Sequence, residues 1–402
     1  MSRSILLGVD FGTTYTSAGA IIDDRVALVT DEADPCIPSV VHLPDSGPVR
    51  VGRRAVARSL AEPDATVRSV KRLMGWGDDP VAMRSLSRSV PYAIAGLPSG
   101  AVALTIRRRE WAAEQVAGYI LDRVRCLAEQ QFGGTVKGVV VSTSAVATPR
   151  YHTALRSAAR MARLEVIDTV SEPIAGALAV GLHARADRRR VLVCDFGGGT
   201  FDVALLEQDG LRFQVVATGG DPFLGGDDLD QAMVQALAGI IYRRARYDIL
   251  HDQVLREALT AHCEAVKRQL STANEARLVM REAYLQHGQR HDLDLRIERA
   301  WVEPLWHPLF ARGLGEVDRL LASVGWDIDD VGEVVLIGGT ALVPRFQQLV
   351  RERFARSSVT ISGRANVDVA IGATLMTGRH LDAGIVPVLA NRTTRLRSQP
   401  AA

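Results

Sequence analysis

The sequence predicts an α/β protein built from two halves of one plan, and three observations carry that expectation. Ile5-Leu6-Leu7-Gly8-Val9-Asp10-Phe11-Gly12-Thr13-Thr14 and Val191-Leu192-Val193-Cys194-Asp195-Phe196-Gly197-Gly198-Gly199-Thr200 share one pattern: an apolar run, an aspartate, then a glycine turn with threonine. Apolar runs of strand length alternate with stretches of helical period, which favours parallel pairing in α/β layers. Two segments of different character, about 38–110 and 227–305, interrupt the alternation and read as inserted lobes. The expected division is 1–185 for the first lobe, 186–378 for the second and 379–402 for a polar, partly disordered tail.

Each element follows from its residues. The runs after the two turns, from Ser17 to Ile22 and from Val203 to Leu206, make each turn the tip of a hairpin. Trp111, Val116, Ile120, Leu121, Val124 and Leu127 recur at helical spacing, predicting a helix over 109–132 that Gly133-Gly134 stops. A strand at 136–141, a helix at 150–163, a strand at 165–169 and a helix at 173–182 complete the first half. In the second half the same reasoning predicts helices over 227–247, 252–270, 309–324 and 344–354, with a strand at 334–337. Ligands of such sheets bind beyond the strand ends where two halves meet, which is where both turns would point.

Composition narrows the classes of function. The 402 residues are 47% hydrophobic and 23% charged, as expected of soluble globular material, and a net charge of +2 gives no pull toward nucleic acid or membrane. The triplets Arg107-Arg108-Arg109 and Arg188-Arg189-Arg190 lack interleaved aromatics and read as solvated surface. Cys36, Cys126, Cys194 and Cys263 are scattered, which suggests free thiols in a reducing cytoplasm. No signal peptide is expected before the first strand and no apolar run is long enough to span a bilayer. The histidines form no metal set, and His287 and His291 fall in a polar stretch expected to be a loop.

Chemistry is concentrated at the tips. Glycine lets backbone N–H groups approach an anion, threonine adds a hydroxyl, and an aspartate closing a buried strand suits a hydrated magnesium ion. A single tip of this kind is an ordinary hairpin turn, but two with strand, aspartate, phenylalanine and glycine in register could clamp a triphosphate from both sides. Asp-Phe-Gly alone does not make a protein kinase, because the His-Arg-Asp loop and the Val-Ala-Ile-Lys strand are missing, as is a P-loop.

These motifs resemble the ATPase domain of heat-shock chaperones of the DnaK type, within the actin-like ATPase superfamily, over about 5–375. Asp10-Phe11-Gly12-Thr13-Thr14-Tyr15 is similar to the family's first phosphate motif and Asp195-Phe196-Gly197-Gly198-Gly199-Thr200-Phe201-Asp202 to its second. Ser171-Glu172-Pro173 resembles the connecting motif, and Leu224-Gly225-Gly226-Asp227-Asp228-Leu229-Asp230 the next signature. The resemblance implies an actin-like ATPase fold of two ribonuclease-H-like halves around a nucleotide cleft. It implies ATP or ADP and Mg2+ as ligands, and allows K+. Lys71 would place the attacking water, as phosphoryl transfer needs positive charge and alignment more than covalent help. Asp10, Asp195 and Glu172 would hold the ion through water, Asp195 or Asp202 would orient the nucleophile, and Thr13 and Thr200 would touch phosphate oxygens. Glu264, Lys267, Arg268 and Ser271 share one helix face and resemble the nucleoside helix, with Gly338-Gly339-Thr340 as the opposite wall.

Departures from the family concern how the ATPase is used. Leu342 stands where an arginine usually packs on adenine, and Asn366-Val367-Asp368-Val369 replaces the Asn-Pro-Asp-Glu signature. Ser144 and His152 fall at two positions that relay the nucleotide signal, a proline and an arginine in the family. No linker, β-sandwich or helical lid is expected after Leu375, so a peptide-binding subunit or co-chaperone would act in trans. The leading expectation is a slow, Mg-dependent ATPase that serves as a chaperone-type nucleotide switch for a protein partner or client. The alternatives are a small-molecule kinase, a non-hydrolysing nucleotide-sensing scaffold and a polymerising actin-like protein.

Overall fold

A computed structural model describes residues 3–59, 61–144, 147–181, 188–209, 212–378 and 388–390. The first sheet contains β1 (Arg3–Phe11), β2 (Tyr15–Ile22), β3 (Arg25–Leu28), β4 (Gly134–Thr143) and β5 (Val166–Ser171), in the order β5-β4-β1-β2-β3, with Ile37–Pro38 added beside β2. β1 pairs antiparallel with β2 and parallel with β4, and β5 extends the parallel side.

The second sheet repeats this plan. It holds β6 (Arg189–Phe196), β7 (Phe201–Asp209), β8 (Arg212–Asp221), β9 (Glu333–Ile337) and β10 (Ser358–Ile361), in the order β10-β9-β6-β7-β8, with Val388–Ala390 beside β8. β6 pairs antiparallel with β7 and parallel with β9, as β1 does with β2 and β4. The duplicated hairpin in the sequence is therefore a duplicated sheet.

The strands form because their apolar runs have a core to enter, on both faces in β6. Leu7, Val9 and Phe11 of β1 are fully buried, as are Val193 and Phe196 of β6. Phe196 meets Phe201 and Phe346 edge to face, each at 4.9 Å between ring centroids. Burying one such ring contributes about 1.5–3 kcal/mol, so these rings fix the base of the second tip.

Helices α1 (Ala113–Phe132) and α2 (Pro149–Met161) pack together on the first sheet, and α3 (Glu172–Ala179) follows β5 directly. The second half adds α4 (Gly226–Ala245), α5 (Gln253–Leu270), α6 (Arg299–Val324), α7 (Pro344–Arg353) and α8 (Asp368–Thr377). Between the sheets the halves exchange partners: α8 lies on β1 and β2, α3 lies on β6, and the two helices touch. A Cβ on Gly372 would sit 1.8 Å from the Ala175 carbonyl oxygen, so this crossing is backbone to backbone. The two tips project from this shared core.

The segments read as insertions have structure of their own. The first carries two three-stranded sheets, Arg50–Val51 with Val40–His42 and Thr66–Arg68, and Arg109–Ala112 with Val102–Ile106 and Ala93–Gly96. The second carries α4, α5 and the hairpin Glu275–Gln286 with Gln289–Glu298, whose apolar face packs toward α5.

Three expectations need correction. Residues 109–112 are a strand rather than the start of α1, because Arg107 and Arg108 take positive φ of 52° and 62° and turn the chain back. Helix α6 starts ten residues before 309 and runs through Pro304 and Pro308. Buried Trp306 and Phe310 hold it, and the Trp306 indole donates to the Leu229 carbonyl at 3.0 Å, so packing overrides the prolines. His287 sits at the turn of the long hairpin and His291 on its second strand, stacked on Tyr284, where a loop was expected. The arginine triplets lie at the surface as expected, with Arg108, Arg109 and Arg188 exposed, while Arg107 pairs with Asp45, Glu62 and Asp64, Arg189 with buried Glu333, and Arg190 with Asp330 and the face of Trp326. The helix expected over 173–182 ends at Ala179, with Leu182 outside the described residues. The tail expected at 379–402 also lies outside them, apart from 388–390.

Candidate functional site

The two tips meet face to face. Phe11 pairs with Thr16 at the end of the first hairpin and Phe196 with Phe201 at the end of the second, leaving Gly12-Thr13-Thr14 and Gly197-Gly198-Gly199-Thr200 as the turns. A Cβ on Gly198 would sit 2.1 Å from the Thr14 hydroxyl oxygen, so glycine is what allows the second turn to approach the first. Ser39 braces the first turn, its hydroxyl donating to the Gly12 carbonyl and its N–H to the Thr14 carbonyl, both at 2.8 Å. The Thr340 hydroxyl braces the second, donating to the Gly197 carbonyl at 2.8 Å.

Between and behind the tips lies a cavity of about 280 Å³. Of the residues singled out in the sequence, Asp10, Gly12, Thr13, Thr14, Tyr15, Lys71, Glu172, Asp195, Gly197, Gly198, Gly199 and Thr200 line its phosphate side. Glu264, Lys267, Arg268, Ser271, Gly338, Gly339 and Thr340 line its far side. Two do not reach it. Gly226 lies behind the wall, where its N–H donates to the Gly197 carbonyl at 3.1 Å and docks the start of α4 on the second turn. Asp202 is buried beneath that turn, accepting the Ser144 hydroxyl on Oδ1 while its Oδ2 has no partner.

Lys71 and Glu172 come from distant parts of the chain. Lys71 rides a short 3₁₀ turn, Val70–Leu73, entered through Ser69 in the left-handed region at φ 53°. Glu172 opens α3. Their side chains meet at 2.5 Å, and both are buried. Burial alone would lower the Lys71 pKa, but Glu172, Tyr151 and Asp10 outweigh it and raise it, so the ammonium stays charged. Arg72 beside it donates to the Gly199 carbonyl and ties this turn to the second tip.

The carboxylates repel one another. Burial, with Glu172 adding to it, pushes Asp10 up to about 6 despite Lys71 and a 2.8 Å hydrogen bond from Ser142. Asp202 is also raised to about 6, by burial first and then by Glu172. Asp195 is raised well above the usual aspartate range by burial, Glu172, Asp202 and Asp10. This cluster is short of positive charge. Among the described residues no group of three His, Cys, Asp or Glu side chains is arranged to ligate an ion directly.

On the far side the structure shows bonds the sequence did not suggest. The Tyr15 hydroxyl donates to Glu264 at 2.7 Å and accepts from Arg268 at 3.0 Å, with the guanidinium 5.6 Å over the ring. One tip is thereby latched to the helix of the other half. Lys267 holds Asp230 at 2.6 Å and the Gly226 carbonyl at 2.8 Å, while burial, partly offset by that lysine, raises Asp230 to about 7. Leu342 lines the cavity where an arginine was noted as missing, and Asn366 and Val369 line it too.

Sequence reading missed Cys36, Asp227, Thr272, Val343 and Ala365 in this lining. Cys36 follows no motif, and only the pairing of Ile37 with Thr16 brings it under the first tip. Asp227 stood in a quoted signature without a role, and it accepts a hydrogen bond from Thr14 at 3.4 Å.

Comparison with known proteins agrees with this geometry. The family described as Hsp70 protein matches residues 6–384. Heat shock 70 kDa protein 2 of Paracoccidioides lutzii is 32% identical over 372 residues, which cover 91% of this chain and 56% of that protein. The chain thus spans little more than half the length of this curated relative. Among the described residues no helix is long and apolar enough to cross a membrane.

Proposed function

The chain belongs to the Hsp70 family and has its actin-like ATPase fold, and on that basis we propose that it binds ATP between the two tips and hydrolyses it slowly to ADP and phosphate. One observation carries the reading: the Gly12-Thr14 and Gly197-Thr200 turns face each other across a cavity whose inner wall holds the Lys71–Glu172 pair. The turns offer backbone N–H groups and hydroxyls to phosphate oxygens from both sides. Lys71, kept protonated, supplies a fixed positive charge where the γ-phosphate would lie, and such preorganised charge is a leading contribution to phosphoryl transfer.

Asp195 lines the cavity and its raised pKa suits it to accept a proton from an aligned water, whereas Asp202 supports it from below. Magnesium held through water by Asp10, Asp195 and Glu172 would neutralise phosphate charge and relieve the repulsion among these carboxylates. Glu264, Arg268, Ser271 and the turn at Gly338 would hold the nucleoside, and opening the Tyr15 latch would let it enter. The output is a cleft whose opening follows nucleotide state, read by a protein client or a co-chaperone in the cytoplasm. Free cysteines at all four positions support that location.

Single-turnover hydrolysis with magnesium, following the labelled γ-phosphate, tests this. Phosphate released to water supports the reading, and label on a metabolite would make the chain a small-molecule kinase. ATP bound but never cleaved would leave a nucleotide sensor.

A further inference from the structure

The end of β4 carries two hydroxyls that reach two aspartates. Ser142 lies in the strand and Ser144 one residue past it, and in extended chain residues two apart send their side chains the same way. Ser142 is fully buried and donates to Asp10 Oδ1 at 2.8 Å. Ser144 donates to Asp202 Oδ1. Asp10 stands at the end of β1 in the first half, whereas Asp202 stands at the start of β7 in the second and pairs across the hairpin with Asp195. One strand end thus grips a carboxylate of each half.

The two arms differ in what they hold. The Ser142 arm stays within the first sheet, where β4 lies beside β1 and the bond fixes Asp10 against its own neighbour. The Ser144 arm crosses to the other half, and because Asp202 has no partner on Oδ2, the orientation of that buried carboxylate is left to its Oδ1 side. Ser144 also borders a small space with Thr13, Lys71 and Thr200, so the crossing lies next to the groups that the cleavage step would use. At this place the family has a proline, which has no hydroxyl to give, so the second arm belongs to this chain.

We propose that Ser142 and Ser144 form a clamp in which Ser144 is a positioning residue for ATP cleavage, tying Asp202, and through the pairing of β6 with β7 Asp195, to the strand that holds Asp10. Neither serine lines the nucleotide cavity, so both act through the carboxylates they hold. The clamp sets how the second tip stands relative to the first, and phosphoryl transfer depends on alignment of this kind. The inference rests on the ATPase reading. It assigns the clamp to the cleavage step and leaves nucleotide affinity to the residues that line the cavity.

Single-turnover cleavage of Mg-ATP by the full chain is compared with Mg-ADP affinity by calorimetry for the native protein and three variants, the affinity serving also as the check that each is folded. Ser144→Ala is expected to slow cleavage about tenfold with ADP affinity unchanged, the loss expected for one hydrogen bond to a charged group. Ser144→Thr keeps a hydroxyl and should recover most of the rate. Ser144→Ala combined with Asp202→Asn should be no slower than Asp202→Asn alone, because the serine acts through that carboxylate. A native rate in Ser144→Ala, no recovery in Ser144→Thr, or additive losses in the double variant overturns the proposal. A native chain that leaves ATP uncut refutes the ATPase reading and the clamp with it, and the native protein alone reveals that outcome.

Discussion

Lys71 and Glu172 form an ion pair of 2.5 Å in which neither side chain exposes a tenth of its surface. A hundred residues of sequence separate them, and their junction joins the first insertion to the start of α3. A buried pair of this kind adds little stability as a whole, yet removing one partner strands the other.

Lys71→Ala is therefore expected to act twice. It should lower the single-turnover cleavage rate by about 10²–10³-fold, the loss typical of removing one preorganised charge. It should also destabilise the protein by about 3–5 kcal/mol by leaving Glu172 unpaired. Lys71→Met combined with Glu172→Gln separates the effects: denaturant unfolding should show most of the stability restored, while cleavage stays lost. Recovery of cleavage in the double variant would refute the role of Lys71.

Acidity should govern the cluster through Asp10 and Asp202. Burial raises both carboxyls to about 6, so the folded chain holds their protons more firmly than the unfolded chain does. Stability without ligand should accordingly fall as pH rises from about 4 to 6 and then level off. Magnesium requires the ionised forms, so its stabilising effect should grow over the same window. Melting curves with and without Mg-ADP from about pH 4 to 8 check this, and a ligand-induced gap that does not change with pH would contradict it.

The Tyr15 latch predicts a kinetic effect. Tyr15→Phe removes the hydroxyl that joins Glu264 and Arg268 but keeps the ring under the guanidinium. Losing charge-assisted bonds worth about 1.5 kcal/mol should speed dissociation of a fluorescent nucleotide roughly tenfold, with the cleavage step little changed. An unaltered off-rate in stopped flow would show that the latch does not close the cleft.

Leu342 lines the cavity and offers no charge to a base. Leu342→Arg would add a planar cation able to stack on adenine, and ADP affinity by calorimetry should rise about 3- to 30-fold, in line with 0.5–2 kcal/mol for such stacking. No gain would place the base elsewhere in the cavity.

The amino-acid sequence by itself determined the strands that carry the two tips, the duplicated hairpins and most of the cavity lining. These depend on local rules: a continuous apolar run marks β1 and β6, and glycine beside threonine marks a turn open to phosphate. It also supplied the residues on one face of α5, because helical spacing is a local property.

Only the tertiary structure decided which of these residues meet. Prolines 304 and 308 fall within α6 because Trp306 and Phe310 are buried, an energy absent from the local chain. Asp202 sits beneath its turn rather than in the cavity, and Tyr15 bonds to a helix about 250 residues away. Partners across such distances are chosen when the lobes close and water is excluded, since only then do burial and charge select one arrangement.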